Sequence, residues 1–205
     1  NRRGGYAVKF LQEFLGFSFQ DSVIELLGGH RSAQTVCSAP RETPKPVEKP
    51  FELPEANSDM RRVFAYLTKQ RFIDPKIISY FAHEHKIYED GKYHNVVFVG
   101  TDKNGTPKQA SVRSTLSFGK TFRITVANSD TKYSFSHFGN DEKLFVFEAP
   151  IDMLSFITLY QKDWQQHSYI AMNGVYESAV LKALESHADL QSVYLCTDND
   201  TGGIE

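Results

Sequence analysis

Two short apolar runs near the C-terminal end of this 205-residue chain each lead directly into acidic residues. Residues 144–147 (LFVF) precede Glu148, and residues 192–196 (SVYLC) precede Asp198 and Asp200. Runs of this kind predict buried strands of an α/β sheet. Because side chains alternate along an extended chain, we expect Asp198 and Asp200 to point the same way. Carboxylates that converge at the carboxyl ends of such strands suit a hard divalent cation such as Mg²⁺.

Each acid also has a structural interpretation that the sequence leaves open. Asp200 is in position to cap a helix that begins at Thr201. Asp152 follows Pro150 in the first turn of a predicted helix, where a carboxylate interacts favourably with the helix dipole. The metal-site interpretation is the better one for the Asp pair once Glu148 is included, because the three carboxylates then end two separate strands. For Asp152, a structural role and a direct role are equally supported.

The acidic residues stand in the order of a known signature. Along the chain the sequence has Glu148, Asp152, Asn173-Gly174 and then Asp198-Asn199-Asp200. This order resembles the Toprim signature, which bacterial DNA primases, topoisomerases and some nucleases share. The resemblance covers residues 143–205. It implies a parallel sheet with flanking helices. We expect strands near 143–148, 168–172 and 192–197, and helices near 150–160 and 176–187.

The Toprim resemblance also implies a set of site residues. The implied metal ligands, for Mg²⁺ or Mn²⁺, are Glu148, Asp198 and Asp200, with Asp152 as a further ligand. Glu148, Asp198 and Asp200 would also be catalytic, and Glu148 has an acid/base role in some Toprim proteins. Gly202 and Gly203 open the next predicted helix, whose N-terminal amides are suited to receive a phosphate.

The N-terminal region, residues 1–29, predicts a pair of short helices. Apolar residues recur at helical spacing up to Leu15, Gly16 ends the first helix, and Ser18 is a suitable N-cap for the second. Residues 4–24 (GGYAVKFLQEFLGFSFQDSVI) resemble the segment that follows the zinc-ligand cysteines in the amino-terminal ribbon of bacterial primases. By this resemblance the zinc ligands precede Asn1 and the chain is part of a longer protein. Zn²⁺ itself is not supported, because no zinc-ligand spacing occurs within the chain. An unrelated helical hairpin is the alternative.

Composition divides the rest of the chain. Residues 30–57 contain five prolines and little apolar periodicity, which predicts an extended linker and a domain boundary. Residues 58–140 carry 13 Lys and Arg against 7 Asp and Glu, whereas residues 141–205 carry 3 against 11. A basic segment beside an acidic one is typical of a protein that holds a nucleic-acid backbone on one part and metal ions on the other. Ordinary surface chemistry gives such an excess too.

The basic segment, residues 58–140, predicts a small α+β subdomain. Ser58 and Asp74-Pro75 are helix start signals, and Lys103-Asn104-Gly105 predicts a hairpin turn between two strands. Basic and aromatic side chains on the later strands are candidates to contact phosphates and stack on bases, although such residues often only solvate a strand or fill a core. These nucleic-acid-binding candidates are Arg113, Lys120, Arg123, Lys132 and Tyr133.

The predicted fold therefore combines α/β and α+β parts, with a Toprim-like parallel sheet after the subdomain and the helical pair. The resemblance to bacterial primases implies that the chain is a primase-like nucleotidyltransferase of a mobile element. Such an enzyme would act on single-stranded DNA and nucleotides, together with a helicase or a relaxase. A Toprim-type metal-dependent nuclease and a non-catalytic DNA-binding accessory protein are the alternatives. No apolar run reaches membrane-spanning length, and two cysteines are too few for a disulfide framework, so we expect a cytoplasmic protein without a membrane partner.

Overall fold

The computed structural model describes residues 7–28, 50–116, 118–119, 121–174 and 176–198. The chain divides into two compact units, Asn1–Val47 and Glu48–Glu205. Most of the predicted linker lies outside the described residues. Four predicted site residues also lie outside them: Lys120, Asp200, Gly202 and Gly203. Within the described ranges, no helix has the length and apolar character needed to cross a bilayer.

The first unit consists of the two predicted short helices, α1 (Ala7–Leu15) and α2 (Phe19–Leu26). Gly16, with a φ of 68°, separates them in a conformation that favours glycine. Ser18 is the N-cap of α2, and its hydroxyl accepts the Asp21 N–H at 3.0 Å, as the sequence predicts. The apolar side chains of the unit are largely exposed, including Phe10 and Phe14, which stack on each other.

The second unit begins with two helices and an antiparallel sheet. The helices are α3 (Arg61–Lys69) and α4 (Pro75–His83). The strands, in the order β1-β2-β3-β4, are β1 (Ile87–Glu89), β2 (Val96–Thr101), β3 (Pro107–Arg113) and β4 (Arg123–Thr125). The predicted hairpin turn joins β2 to β3, with Gly105 at a φ of 77°.

The start of α4 follows the sequence signal, but the start of α3 does not. Asp74 caps α4 through a 2.7 Å bond from the Lys76 N–H, and Pro75 is the first helical residue. The prediction that Ser58 caps α3 is wrong. The helix begins at Arg61, and Glu89 Oε2 accepts the N–H groups of Arg62 and Val63 at 3.0 Å each. A buried carboxylate from β1 therefore replaces the local cap.

A second, mixed sheet follows, in the order β5-β7-β6-β8. β6 is parallel to β7 and to β8, while the short β5 is antiparallel to β7. This arrangement confirms the predicted parallel sheet and its intervening helices. The elements are β5 (Ser136–His137), β6 (Lys143–Phe147), α5 (Pro150–Leu159), β7 (Ser168–Ala171), α6 (Ser178–Ser186) and β8 (Ser192–Leu195).

The prediction that residues 192–196 form a buried strand is correct for the strand and wrong for the burial. Among the described elements β8 lies at the edge of its sheet, and its side chains from Val193 to Leu195 are exposed. Tyr194 is still supported on one side by a 5.0 Å stacking contact with Phe145. An apolar run is compatible with a central strand or an edge strand, so composition alone does not fix its position.

The two sheets share one hydrophobic core. Phe98 of β2 contacts Phe135 at a ring-centroid distance of 5.3 Å, and both belong to the cluster that contains Phe147 and Tyr169 of the mixed sheet. The backbones approach closely at Gly100, where an added Cβ would lie 2.7 Å from the Ser134 backbone. We call this junction between the two sheets the seam. It places β3 and β4 beside the carboxyl ends of the parallel strands.

Candidate active site

Glu148 and Asp198 meet where two neighbouring parallel strands end. Glu148 follows the last residue of β6, and the Cys196 N–H continues the pairing of β8 by donating to the Val146 carbonyl at 2.8 Å. Two residues later the Asp198 N–H donates to Glu148 Oε1 at 3.0 Å. The topology thus brings together residues that are 50 positions apart in the chain.

Asp152 lies beside this pair in the first turn of α5. Its pKa is raised above the ordinary value for Asp, first because neighbouring atoms shield the carboxyl from water and second because Asp198 is negative. Glu148 adds to the same effect. We call Glu148, Asp152 and Asp198 the acidic edge. Their carboxylates are close enough to repel one another, and a cation would relieve that repulsion.

Arg113, the last residue of β3, is the positively charged side chain that acts on this acidic edge. Its charge lowers the pKa of Asp152, against the stronger effects that raise it. Its Nε donates to the Tyr66 hydroxyl oxygen at 3.2 Å. The same oxygen accepts Arg71 Nε at 2.9 Å, and Tyr66 is almost fully buried. A rigid phenol in α3 therefore orients the Arg113 guanidinium.

Arg113 is directly opposite Arg123 in the register of β3 and β4. Like charges at opposite positions of an antiparallel pair destabilise a sheet. Within the described part of the chain, neither arginine has a carboxylate within ion-pair distance. We call this pair, with Tyr66, the basic face. Two uncompensated guanidinium groups beside an acidic edge form an arrangement that suits a bound phosphate.

Two further predicted nucleic-acid contacts, Lys132 and Tyr133, lie in another part of the seam, and Lys120 lies outside the described residues. Lys132 and Tyr133 line a cleft of about 410 Å³ together with Lys86 and Lys182. The cleft contains further lysine and histidine side chains, so it is also a basic surface. Lys132 is exposed and its N–H donates to Asp130 Oδ1 at 3.1 Å. Tyr133 also lines a second cavity, together with Gln109 and Asn173.

The metal ligands predicted from the sequence remain a prediction. In residues 7–28, 50–116, 118–119, 121–174 and 176–198, no three His, Cys, Asp or Glu side chains form a group that could hold a metal ion together. Asp200, the third predicted ligand, lies outside these ranges.

Sequence reasoning missed Tyr66 and a polar stripe on β3. Tyr66 has no local signal, because it sits among the apolar positions of an amphipathic helix. The stripe does have a signal: in QASVR, residues 109–113, the polar residues alternate with Ala110 and Val112. That period of 2 predicts a strand with a polar face toward water. Here both faces are covered, and the polar residues Gln109 and Ser111 are buried as well.

Comparison with known proteins supports the assignment of the second half. Residues 145–205 match the family described as Toprim-like, and residues 65–141 match a family of unknown function, DUF3991. The C-terminal part of this chain is therefore a Toprim-like domain, as the sequence signature predicts. The region with the basic face belongs largely to the second match, whose description gives no activity.

A relative in Bacillus anthracis extends the similarity to nearly the whole chain. It is the uncharacterized protein pXO2-78, which is 29% identical over 99% of this chain. The chain spans 62% of the length of that relative.

Two solved primase structures are also similar. The primase fragment of the bacteriophage T7 primase-helicase protein aligns with a TM-score of 0.51 and 18% identity, over 66% of this chain and 55% of that one. The Aquifex aeolicus primase, with its zinc-binding and RNA polymerase domains, aligns with a TM-score of 0.45 and 14% identity, over 97% of this chain and 59% of that one. At this identity, the T7 likeness establishes a shared fold and nothing further.

Proposed function

We propose that this chain is the catalytic region of a primase-like nucleotidyltransferase that joins nucleotides on single-stranded DNA. One observation carries the proposal. Glu148 and Asp198 meet at the ends of parallel strands of a Toprim-like domain, at 3.0 Å between Glu148 Oε1 and the Asp198 nitrogen, and Arg113 lies close enough to lower the pKa of the neighbouring Asp152. Acids for a metal and arginines for phosphate are the two groups that phosphoryl transfer requires.

The proposed cofactor is a hard divalent cation, Mg²⁺ or Mn²⁺, held at the acidic edge together with Asp200. The carboxylates of the acidic edge are partly exposed, and the pKa of Asp152 is raised first by burial and then by the negative charge of Asp198, a repulsion that a cation would relieve. Glu148 and Asp198 would hold the ion, with Asp200 as the third ligand and Asp152 as a further one. When bound, such an ion supplies charge stabilisation and orientation at the reacting phosphate.

The other residues have tasks that follow from their positions. Arg113 and Arg123 would bind the nucleotide phosphates, and Tyr66 would hold Arg113 in place through the 3.2 Å hydrogen bond. Lys132 and Tyr133 would contact the DNA strand farther along the seam. Lys120, with Gly202 and Gly203 as phosphate-binding amides, completes the proposed site from the sequence.

Single-stranded DNA and nucleotides are the proposed partners, and a helicase or a relaxase is the proposed protein partner. The T7 protein with a similar fold is named a primase-helicase. That name describes the T7 protein, so the helicase partner of this chain rests on the sequence resemblance. Co-purification of this protein with a candidate helicase or relaxase is the measurement that checks it.

Nucleotide incorporation tests the catalytic proposal. The parent protein is incubated with single-stranded DNA, nucleoside triphosphates and Mg²⁺ or Mn²⁺, and products are resolved on a sequencing gel. We expect primer products from the wild type and from Asp189→Ala, whose carboxylate is exposed and away from the acidic edge. Asp198→Ala should yield none. Metal-dependent cleavage of DNA without nucleotide incorporation would show that the protein is a nuclease instead. DNA binding that is unchanged by metal and by Asp198→Ala, without incorporation, would show that it is a non-catalytic accessory protein.

A further inference from the structure

Three polar atoms next to the basic face are buried without a hydrogen-bond partner among the described residues. They are Gln109 Oε1, Ser111 Oγ and Asn173 Oδ1. Gln109 and Ser111 are each only 2% exposed. Buried polar groups are nearly always paired in folded proteins, because an unpaired group has lost its bonds to water without replacement. Three in one place therefore indicate that something else satisfies them.

The residues that carry these atoms line two adjoining cavities of about 490 Å³ and 220 Å³. Ser111 lines the first and Gln109 the second, and both cavities share Asn173 and Tyr176. We call this pair of cavities the polar pocket. It is the size of a small-molecule site. The polar pocket lies on the seam, between β3 of the antiparallel sheet and the turn after β7 of the mixed sheet.

The polar pocket is directly connected to the proposed active site. The Gly174 N–H donates to the Glu148 carbonyl at 3.0 Å, so the turn that lines the pocket is fixed to the first acid of the acidic edge. On the other side, Arg123 lines the same cavity as Ser111. A ligand in the polar pocket therefore has the Arg123 side chain next to it, and the turn that lines the pocket is bonded to Glu148 of the acidic edge.

The hydrogen bonds around Asn173 define what the polar pocket offers. The Ser134 hydroxyl donates to the Ala171 carbonyl, so its lone pairs remain to accept the Asn173 Nδ2 at 3.1 Å. This fixes the amide of Asn173 with its nitrogen toward Ser134 and its oxygen free. Asn173 has a φ of 60°, a conformation that Asn tolerates better than most residues. The turn thus holds a carbonyl-type acceptor in a defined direction.

The chemistry of the polar pocket is therefore that of hydrogen-bond acceptors. Gln109 Oε1 and Asn173 Oδ1 accept, and the Ser111 hydroxyl can accept as well as donate. A matching ligand must present several O–H or N–H donors. Tyr176 is exposed at the mouth, where its ring is free to stack on a flat group.

We propose that the polar pocket binds the nucleoside part of the incoming nucleotide, through its hydrogen-bond donors, and so determines which nucleotide is accepted. This inference rests on the proposed function. The donors are either the sugar hydroxyls or an exocyclic amino group of the base, and both present the same chemistry to the three acceptors. Tyr176 stacks on the base, and Arg123 lies on the phosphate side.

Equilibrium binding of nucleotides to the parent protein tests the polar pocket. ATP is titrated against the wild type and against Gln109→Met and Ser111→Ala, which keep the approximate shape and remove the polar atoms. Each variant should weaken ATP binding about 10-fold, the loss expected for one hydrogen bond. Gln165→Met, an exposed position outside the pocket, is the matched control and should bind like the wild type.

Two ATP analogues distinguish whether the sugar or the base supplies the hydrogen-bond donors. If the sugar fills the polar pocket, 2′-deoxyadenosine triphosphate should bind the wild type about 10-fold more weakly than ATP, and this difference should disappear in Ser111→Ala or Gln109→Met. If the base fills it, purine riboside triphosphate, which lacks the amino group, should show the same pattern. Equal binding of all three nucleotides to the wild type would overturn the inference.

Thermal unfolding separates recognition from a structural role. Because the three atoms have no protein partner among the described residues, Gln109→Met and Ser111→Ala should leave the melting temperature unchanged or raise it slightly. A clear decrease in both, with ATP binding retained after folding is verified, would mean that the polar atoms serve the fold and would refute the inference.

The two proposals fail in different ways. If Asp198→Ala abolishes incorporation while both pocket variants bind ATP normally, only the polar pocket is wrong. If ATP binding depends on Gln109 and Ser111 while incorporation never occurs, the pocket stands and the catalytic proposal is wrong.

Discussion

The acidic edge and the basic face lie next to each other but are built in different ways. Glu148 and Asp198 come together because parallel strands end at the same edge of a sheet, and each acid lies just beyond the end of its own strand. Arg113 and Arg123 come together through the register of β3 and β4, and Tyr66, 47 residues earlier in the chain than Arg113, accepts a hydrogen bond from Arg113. Topology thus positions the acids, whereas long-range packing positions the arginines.

This difference predicts that the two regions will respond differently to substitution. The acidic edge depends on charge at fixed strand ends, so removal of a carboxylate should change chemistry more than stability. The basic face and the seam depend on close packing between the sheets, so some of their substitutions should change stability more than chemistry. Four predictions, from the largest expected effect to the smallest, test this contrast.

The acidic edge should give the largest effect. Asp198→Ala should lower metal-dependent incorporation by about three orders of magnitude or more, because the phosphate charge loses its counter-ion. Binding of single-stranded DNA without metal should persist or tighten slightly, since a negative charge near the backbone is removed. A steady-state incorporation assay measures the rate, and a titration with single-stranded DNA measures the affinity without metal. Asp189→Ala is the control, and an incorporation rate of Asp198→Ala within a few-fold of wild type would contradict the prediction.

The seam should give the largest effect on stability. Gly100→Ala places a Cβ 2.7 Å from the Ser134 backbone, so the sheets must separate, at a cost of about 1–3 kcal/mol. Urea denaturation of the parent protein measures the change in the free energy of unfolding. Gly91→Ala is the matched control, because its Cβ would meet backbone atoms only at 3.5 Å. Equal stability of the two variants would show that the seam is looser than the structure indicates.

The basic face should affect DNA binding to an intermediate degree. Arg113→Ala or Arg123→Ala should weaken binding of single-stranded DNA. Each should also reduce the slope of log K against log salt by about 0.7 for every phosphate that the variant no longer neutralises. A salt titration by fluorescence anisotropy measures the slope. Arg61→Ala is the control, since Arg61 is exposed and paired with Asp59 at 3.2 Å. An unchanged slope in both variants would show that neither arginine contacts the phosphates of the bound DNA.

The smallest expected effect is a pH dependence at the seam. His137 of β5 is buried against Tyr80 of α4, and burial lowers the pKa of its imidazole below the ordinary value of 6.5. The unfolded chain therefore binds a proton more readily than the folded one. The stabilising contribution of neutral His137 is present above pH 6.5 and is lost as the pH falls below that value.

The melting temperature is measured between pH 5 and pH 8, a range around 6.5, the ordinary pKa of a histidine. His137→Gln should reduce its dependence on pH relative to the wild type. His83→Gln is the control, because His83 is exposed at the end of α4. If His137→Gln and the wild type lose stability in parallel on acidification, another group carries the effect.

Much of the second half could be predicted from the sequence because its signals are local. The strand Lys143–Phe147, the helix start at Pro150 and the strand Ser168–Ala171 all lie within a residue or two of their expected positions. Apolar runs, proline at a helix start and acids after strands act over a few residues. The burial of β8 could not be predicted, because an edge strand and a central strand have the same apolar pattern.

The sequence by itself determined that Glu148 and Asp198 meet, since each follows a strand that local composition already specifies and parallel strands end together. Tertiary structure alone decided the buried cap from Glu89 to α3, the opposition of Arg113 to Arg123 and the polar pocket around Gln109. These depend on strand register and on the close approach of two sheets. Both are set by packing between residues far apart in the chain, and such packing leaves no periodic signal within any one segment.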